Sequence, residues 1–475
     1  MNNVRVRFAP SPTGIPHIGN IRLALFDWLF AKKNKGKFIL RIEDTDRKRF
    51  DPNSLEAILA SLRFLGLNWD EGPYFQSQRI KQYKEFVNQL LVKNYAYYCF
   101  CSEERLEEMR KKQRAKGLAP KYDRFCLGLS KATIKQKLAK GNPYVIRLKI
   151  PDEREIEWDD LIQGKIKINT ETIDDQILIK SDGFPTYHLA VVVDDHLMQI
   201  SHVFRGVEWI SSTPKHLILF AAFGWQPPKI GHFPLVLGPD KTKLSKRHGA
   251  KSILDYKNAG YLPEALINFI ALLGWHPKDD QEILTVSELI KKFDLNDVQR
   301  QNAIFDEKRL NYLNGYYIRQ KSNKKLGQLL EKFIPEFNFD QRILTAALVK
   351  ERIKNLLEAR ELISFVFQDV DYSPELLLQK GFTKDEAKLM LIKAKQIIQK
   401  QKNLNNSDIL QKQLLDLIRK NNWQTGNFFM VFRIAVTGKT ITPPIVESLR
   451  LLPKEKVIER LDQAIKKLAL GNFKS

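Results

Sequence analysis

Cysteine is scarce in this chain of 475 residues, which contains only three. Three cysteines cannot supply the set of disulfides that holds small secreted proteins together, so we expect a reducing compartment, the cytoplasm. No apolar run approaches the length of a membrane span, and a strand-like segment begins almost at Met1, where a signal peptide would have to lie. Internal repeats and low-complexity tracts are lacking as well. The sequence therefore predicts a cytoplasmic globular protein with no membrane partner.

Acidic residues are few relative to basic ones. The 55 Asp and Glu residues stand against 78 Lys and Arg residues, which gives a formal net charge of +23. Such an excess is typical of proteins that bind a polyanion, and it favours nucleic acid over a membrane surface. An AT-rich genome that inflates the lysine content would produce the same excess on an ordinary surface. The length predicts about three domains rather than a single core.

The stretch APSPTGIPHIGN (residues 9–20) concentrates three prolines, two glycines and one histidine in one short turn. The segment VRVRFA before it alternates like a strand, and IRLALFDWLFAKKNKG after it has helical spacing and stops at Gly36, which we expect to be the C-cap. The first amides of a helix are unpaired, so a turn that leads into one is suited to phosphate. Gly19 would admit a ring or a phosphate, and His17 could donate to phosphoryl oxygens. A tight turn with a surface histidine is the alternative.

A second glycine-flanked segment, GPDKTKLSKRHGA (residues 238–250), follows the apolar stretch FPLVLG. Lys241, Lys243 and Lys246 lie in it, together with Ser245. Lysines in such a loop could neutralise the charge that develops on a leaving pyrophosphate. Basic loops are usually only solvated, so this segment is a weak indication by itself. The two segments together predict a site for ATP.

PHIGN (16–20) and KLSKR (243–247) resemble the two signature motifs of class I aminoacyl-tRNA synthetases. RFAPSPTG, LRIEDTDRKR, SDGFPTYHLAVVVDDHLM and STPKHLILFAAFGW narrow the resemblance to bacterial-type glutamyl-tRNA synthetases, from residue 4 to the C-terminus. The resemblance implies a ligase that activates L-glutamate with ATP to glutamyl adenylate and releases pyrophosphate. It then transfers the glutamyl group to the 3′-terminal adenosine of tRNA(Glu). Whether tRNA(Gln) is also a substrate is left open.

The resemblance also implies which residues handle ATP. His17 and the helix amides would hold the phosphates, Lys246 helped by Lys243 would stabilise the leaving pyrophosphate, and Mg²⁺ would bridge the phosphates. Neither step needs a protein nucleophile, because positioning and electrostatic stabilisation carry both. The catalytic residues would be His17, Lys243 and Lys246. The implied ATP-binding residues are Pro16, His17, Gly19, Asn20, Lys243, Ser245 and Lys246.

A pocket for the amino acid is expected after KFILRIEDTD (37–46), which has strand spacing and ends in a cluster of carboxylates. In open α/β sheets, ligands bind beyond the carboxyl ends of the strands. A carboxylate there suits the ammonium group of an amino acid, whereas an acidic substrate side chain needs arginine. An ordinary surface ion pair is the alternative for each residue. The resemblance implies that the arginines bind the side chain, that the glutamate binds the ammonium group, and that the pocket consists of Arg7, Ser11, Glu43, Tyr187 and Arg205.

The DDH element at 194–196 could suggest a metal site, since its side chains are possible ligands. We expect it on a strand, where neighbouring side chains point to opposite faces. Asp194 and Asp195 would then not converge, and no metal is assigned to them.

The three cysteines could bind one structural Zn²⁺. Cys99 and Cys101 are separated by one residue, and Cys126 follows in the segment YDRFC. In the resembling family and its relatives, the fourth ligand is a histidine two residues after the last cysteine or a tyrosine four before it. Gly128 occupies the first position here, and Tyr122 occupies the second. Three free buried thiols are the alternative.

The fold class that we predict is α/β, with a doubly wound parallel, Rossmann-like catalytic sheet, an inserted α/β domain and an all-α C-terminal region. Residues 1–82 and 188–240 would form the catalytic domain, and 83–187 the insertion that grips the acceptor end of tRNA. Residues 241–322 would form a helical stem-contact domain containing KLSKR, and 323–475 an anticodon-binding region. Family precedent implies a monomer.

Within the helical tail, the resemblance points to Arg352 as a residue that reads an anticodon base, since arginine can contact base edges. The tail could also be only a packing domain. Two rival functions share parts of this pattern. Glutaminyl-tRNA synthetase has the same catalytic motifs but C-terminal β-barrels, which the helical spacing here opposes. A non-catalytic tRNA-binding protein would not need the lysines at 243 and 246.

Overall fold

The computed structural model describes residues 4–242, 244, 251–378 and 383–470. The chain divides into two compact units, the first comprising residues 1–258 and 263–307 and the second residues 259–262 and 308–475. The expected lysines at 243 and 246 and the serine at 245 lie outside the described residues. None of the described helices is both long enough and apolar enough to cross a membrane.

The first unit begins with a parallel sheet of three strands, in the order β1-β2-β3. The chain after β1 and after β2 passes through helices before it returns to the sheet, which is the connection that parallel strands require. The elements are β1 (Arg5–Phe8), α1 (Ile18–Lys33), β2 (Lys37–Ile42), α2 (Pro52–Phe64), β3 (Glu71–Phe75) and α3 (Ile80–Val92).

A second group of parallel strands lies beside β1. It consists of β9 (His202–Gly206), which pairs with β10 (Lys229–Phe233), and the helices α6 (Tyr187–Leu197) and α7 (Thr213–Phe223) precede these two strands. The amide of Ser201, which precedes β9, donates to the carbonyl of Arg5 at 2.9 Å. The doubly wound parallel sheet predicted from the sequence is therefore present.

The segment between the two halves contains an antiparallel sheet and a hairpin. The elements are β4 (Ala96–Cys99), α4 (Glu103–Ala115), α5 (Lys131–Ala139), β5 (Val145–Leu148), β6 (Glu155–Asp160), β7 (Gly164–Asn169) and β8 (Ile177–Ile179). Strands β4, β5 and β8 form one sheet. Strand β6 pairs with β10 and so extends the sheet of β9 and β10. This hairpin places Asp160 next to His232.

The rest of the first unit is mainly helical. Its elements are β11 (Val236–Leu237), α8 (Ile253–Asn258), α9 (Pro263–Ala271), α10 (Val286–Lys292) and β12 (Ala303–Ile304), and β11 pairs with β12. Pro263 is the first residue of α9, where its missing amide is not needed.

The second unit consists of helices throughout its described residues, as predicted. They are α11 (Glu307–Arg319), α12 (Asn323–Leu329), α13 (Phe339–Val349), α14 (Leu357–Leu362), α15 (Lys384–Lys400), α16 (Ser407–Lys420), α17 (Thr425–Thr437), α18 (Ile445–Ser448) and α19 (Lys454–Leu470). One apolar face of α15 packs against α17 and α19 through Leu391, Ala394 and Ile398.

Two local predictions were wrong. The DDH element lies in α6, not on a strand. The long helix ends at Lys33, with Asn34 as its C-cap and Lys35 in the left-handed region at φ 52°. Gly36 is instead a close-approach position, because a Cβ there would lie 2.3 Å from the carbonyl oxygen of Val4.

Candidate active site

A cleft of about 1230 Å³ opens beyond the carboxyl ends of β1 and β2 and at β9. All five residues expected in the amino-acid pocket line it, although they come from four separate segments of the chain. Pro16 and Asn20 of the expected ATP site line it as well, whereas His17 and Gly19 are not among its described lining residues. The residues that the cleft brings together are Arg7, Ser11, Pro16, Asn20, Glu43, Tyr187 and Arg205.

His17 is the N-cap of α1. Its Nδ1 accepts a hydrogen bond from the Gly19 amide at 3.0 Å, and its own amide donates to Oδ1 of Asn20 at 3.2 Å. Since Nδ1 accepts, the proton of the neutral ring is on Nε2, which is a donor. The prolines and glycines of the turn therefore hold an imidazole donor at a defined place.

The roles expected for Gly19 and the first amides change with this geometry. A Cβ on Gly19 would lie 2.8 Å from Cε1 of His17, so the ring of His17 already requires a glycine here. The amides of Gly19, Asn20 and Ile21 already donate to His17. The expectation that these amides are unpaired is wrong, and the imidazole is the donor that this turn presents.

Arg7, which lines the cleft, and the buried Arg41 share one carboxylate. Nε of Arg7 lies 3.0 Å and Nη1 of Arg41 lies 2.8 Å from Oδ1 of Asp195. Burial opposes the ionisation of Asp195, but the two arginines outweigh it and hold its pKa below the ordinary value. Arg41 also donates to Glu43, at 3.1 Å. Burial raises the pKa of Glu43 to about 7, although both arginines act in the opposite direction.

Asp194 and Asp195 are the functional residues that the reasoning from sequence missed. Both are buried on α6, and Asp194 accepts hydrogen bonds from Gln76, Arg79 and Tyr83 at 2.7–3.0 Å. Through its bond to Arg7, Asp195 holds a side chain that lines the cleft. Assigning this segment to a helix would have predicted that the two carboxylates lie closer together, since neighbouring side chains on a helix point about 100° apart rather than to opposite faces.

Arg205, at the end of β9, is held differently. Its guanidinium donates to Nε2 of His232 and Nδ1 of His216, both at 3.0 Å, and to Oγ1 of Thr213 at 2.7 Å. These bonds use three of its five donors, and none of the three partners is a carboxylate. The residue is buried yet lines the cleft. Among the described residues, its direct hydrogen-bond partners are neutral side chains.

Tyr187 begins α6, and its ring lies 4.6 Å from that of Trp209, centroid to centroid. Burial raises the pKa of its hydroxyl. Tyr187 and Trp209 both line the cleft. They form an apolar wall from which the tyrosine presents a neutral hydroxyl group.

Asp27 is a buried acid of α1 that also lines the cleft, and its Oδ1 has no hydrogen-bond partner in the described structure. Burial raises its pKa well above the ordinary value, although Arg7 opposes the shift. Asp27 therefore keeps its proton to a higher pH than an exposed aspartate does.

Asp27→Asn should stabilise the protein increasingly as the pH rises above about 4, where the unfolded carboxyl group ionises. Above that pH the unfolded state loses a proton that the folded state keeps, so the natural chain loses up to about 1.4 kcal/mol per pH unit until the folded carboxyl group ionises too. Urea unfolding of both proteins from pH 4 to pH 8 measures the difference. Asp46→Asn is the control, because a hydrogen bond from Arg49 lowers the pKa of Asp46 and reverses the sign. If the free energies of unfolding of Asp27→Asn and the natural chain differ by the same amount at every pH, the raised pKa of Asp27 is contradicted.

The three cysteines lie together, with their sulfur atoms within 4.8 Å of one another. The hydroxyl oxygen of Tyr122 lies 3.3 Å from Sγ of Cys99 and 3.4 Å from Sγ of Cys101. Cys99 and Cys101 also line the cleft. Four such atoms match the number of ligands that zinc takes in structural sites, and cysteine sulfur is one of its preferred donors.

Arg352 is exposed in the second unit, just after α13. Burial, followed by the charge of Arg352, lowers the pKa of Arg433. The two arginines form a local concentration of positive charge. Its role remains a prediction.

Comparison with known proteins decides the family. The description "tRNA synthetases class I (E and Q), catalytic domain" matches residues 3–312, and "Anticodon binding domain" matches residues 325–465. The glutamate–tRNA ligase of Dehalococcoides mccartyi is 44% identical and covers 98% of this chain and 99% of its own. The chain belongs to the glutamate–tRNA ligase family. The family resemblance found in the sequence is confirmed.

Other members of the glutamate–tRNA ligase family agree. The enzyme of Finegoldia magna is 42% identical over 98% of this chain and 100% of its own. A crystal structure of a glutamate tRNA ligase from Elizabethkingia meningosepticum, in complex with its amino acid, is 34% identical with a TM-score of 0.88 and covers 98% of this chain and 100% of that one. The match extends through both units, including the helical region.

Proposed function

We infer that this member of the family is a glutamate–tRNA ligase that activates L-glutamate with ATP and transfers the glutamyl group to the 3′-terminal adenosine of tRNA(Glu). The observation that carries this inference is the cleft in which Arg7, Glu43 and Arg205 meet beside the turn of His17. One acid for an ammonium group and two arginines in the same cleft match an amino acid with an acidic side chain.

In the first step, the α-carboxylate of glutamate attacks the α-phosphorus of ATP, and the bond to the bridging oxygen of pyrophosphate breaks. Arg205 binds the side-chain carboxylate, and Glu43 in its ionised form binds the ammonium group. Nε2 of His17 donates to phosphate oxygens while negative charge develops. When bound with ATP, Mg²⁺ would supply positive charge that balances the phosphates. In the second step, a ribose hydroxyl of tRNA attacks the activated carbonyl, and AMP leaves.

The remaining residues of the ATP site are proposed from the sequence motifs. Lys246, helped by Lys243, would stabilise the departing pyrophosphate, and Ser245 would contact ATP in the same loop. Pro16 shapes the turn, and the side chain of Asn20 fixes the backbone of His17. Ser11, exposed at the edge of the cleft, would complete the amino-acid pocket.

The proposal is tested by asking which amino acid is activated. Exchange of labelled pyrophosphate into ATP, measured with tRNA present, should require glutamate and be at background with glutamine or aspartate. Exchange that prefers glutamine would support a glutaminyl-tRNA synthetase instead. Binding of tRNA without exchange for any amino acid would support the non-catalytic tRNA-binding protein.

We also propose that the cysteine cluster holds one structural Zn²⁺, with Cys99, Cys101, Cys126 and Tyr122 as its ligands. The donor set and the short distances between its atoms support this assignment. When bound, zinc would cross-link the segment after β4 to the segment after α4. Because Cys99 and Cys101 line the cleft, the cross-link would also fix part of its wall.

The purified protein should contain about one equivalent of zinc, and a chelator should lower its stability by about 3 kcal/mol relative to a solution with zinc at a hundredfold excess over Kd. Tyr122→Phe should bind zinc more weakly, while Tyr95→Phe, on an exposed tyrosine of the same region, should not. Metal analysis and thermal unfolding measure both effects. A metal-free protein that is indifferent to chelator would establish free thiols.

The assignments to tRNA are proposals as well. Residues 83–187 would bind the acceptor end, 241–322 the stem and 323–475 the anticodon, with Arg352 contacting a base. Exposed cations on α4, among them Arg110, Lys112 and Arg114, suit phosphate contacts. A monomer in the cytoplasm would be sufficient for this activity.

A further inference from the structure

Two buried histidines flank Arg205 on opposite sides, His216 from α7 and His232 from β10. We propose that His216 and His232 are positioning residues that fix the Arg205 guanidinium through neutral acceptors, so that its positive charge is left for the side-chain carboxylate of the substrate. This proposal rests on the role of Arg205 in the proposed function. It adds two residues to the proposed glutamate site and explains why they are histidines rather than acids.

The tautomers follow from the fact that arginine only donates. Nε2 of His232 accepts from Arg205, so its proton is on Nδ1, which donates to Asp160. Nδ1 of His216 accepts from Arg205, so its Nε2 donates to Nδ1 of His188 at 3.0 Å. Each ring therefore has one acceptor, which faces the guanidinium, and one donor, which a second residue fixes.

The environment keeps both rings neutral. Burial, reinforced by the charge of Arg205, lowers the pKa of His216 well below its ordinary value. Burial also lowers the pKa of His232, although Asp160 opposes the shift. The carboxylate closest in this chain of hydrogen bonds, Asp160, reaches Arg205 only through the ring of His232.

The bonds of Arg7, which lines the cleft, and of the buried Arg41 contrast with those of Arg205. Arg7 and Arg41 both bond directly to Asp195, so part of their charge is already balanced. A carboxylate in the place of His216 would pair with Arg205 in the same way and compete with the substrate. A neutral acceptor holds the guanidinium without that competition, and it preserves discrimination between a substrate carboxylate and a neutral carboxamide.

His216→Asn and His216→Asp form a matched pair, because the side-chain oxygen of each can replace Nδ1 and the two residues differ only in charge. We expect His216→Asn to change KM for glutamate by about threefold or less. His216→Asp should raise it by about tenfold or more and reduce the preference for glutamate over glutamine, with KM for ATP unchanged in both. Wild-type exchange with glutamate, run in parallel, tests the proposed function separately.

A purely structural role would make both variants equally impaired, or would raise KM for ATP and glutamate together, and either result would overturn the proposal. His232→Gln and His232→Glu repeat the comparison on the other side, where the side-chain oxygen replaces Nε2. This second pair decides the matter if His216→Asp does not fold, as thermal unfolding will show. Equal KM values for glutamate in the Gln and Glu variants would likewise reject it.

Discussion

Arg205→Met should lower kcat/KM for glutamate by about 10²–10³-fold, the largest loss expected from a single pocket residue. Removing one partner of a buried charge pair costs about 3–5 kcal/mol, and each 1.4 kcal/mol is a factor of ten. The acceptors on His216, His232 and Thr213 would lose their donor in addition. Steady-state exchange with tRNA present, at varied glutamate and then at varied ATP, separates the two substrates.

Arg5→Met is the matched control for Arg205. Arg5 is an arginine of the same unit, but it pairs with Glu71 at 2.8 Å and is not among the residues that line the cleft. It should leave kcat/KM for glutamate close to the wild-type value, because Arg5 does not line the cleft. Arg205→Lys should recover part of the loss, because ammonium keeps the charge without the planar fork. An Arg205→Met enzyme with wild-type KM for glutamate would remove this residue from the pocket.

His17→Ala should slow glutamyl-adenylate formation by about 10²-fold or more, the effect of deleting one preorganised donor. The variant also loses the N-cap of α1, which costs about 1 kcal/mol of stability. His17→Asn separates the two effects, since its oxygen can accept from the Gly19 amide as Nδ1 does, but it has no donor at the position of Nε2.

The rate of adenylate formation in a single turnover, together with the unfolding midpoint, distinguishes the two roles of His17. We expect His17→Asn to unfold like the natural chain and still to form adenylate about 10²-fold more slowly. A His17→Asn enzyme with an unchanged rate would show that His17 only caps the helix. The catalytic role would then have to be abandoned.

The strands and helices around the site could be predicted from the sequence. The turn at 9–20 is flanked by a clear strand pattern and a clear helical pattern, and both are present as β1 and α1. The five expected pocket residues line one cleft, because the carboxyl ends of parallel strands meet at one edge. Periodicity likewise predicted the helical second unit.

The partners of Arg205 could not have been predicted in the same way. Thr213 and His216 come from a helix and His232 from a neighbouring strand, and only tertiary packing brings them to one guanidinium. Asp160, which bonds to His232, comes from a hairpin. The DDH element was misassigned because a run of valines favours a strand, whereas packing of α6 against α7 favours the helix. Gly36 was predicted to be a cap, whereas the close approach of Val4 explains the glycine there. At Gly19, the ring of His17 leaves no room for a side chain, which the sequence pattern does not show.

The most direct test of glutamate ligation to tRNA is aminoacylation with labelled glutamate and ATP, with purified tRNA(Glu) and tRNA(Gln) offered separately and labelled glutamine as the control. We predict glutamate on the 3′-terminal adenosine of tRNA(Glu) and no charging with glutamine. Glutamate on tRNA(Gln) as well would add a second substrate to the same activity. No charging of tRNA(Glu) by folded protein that binds ATP would contradict the account.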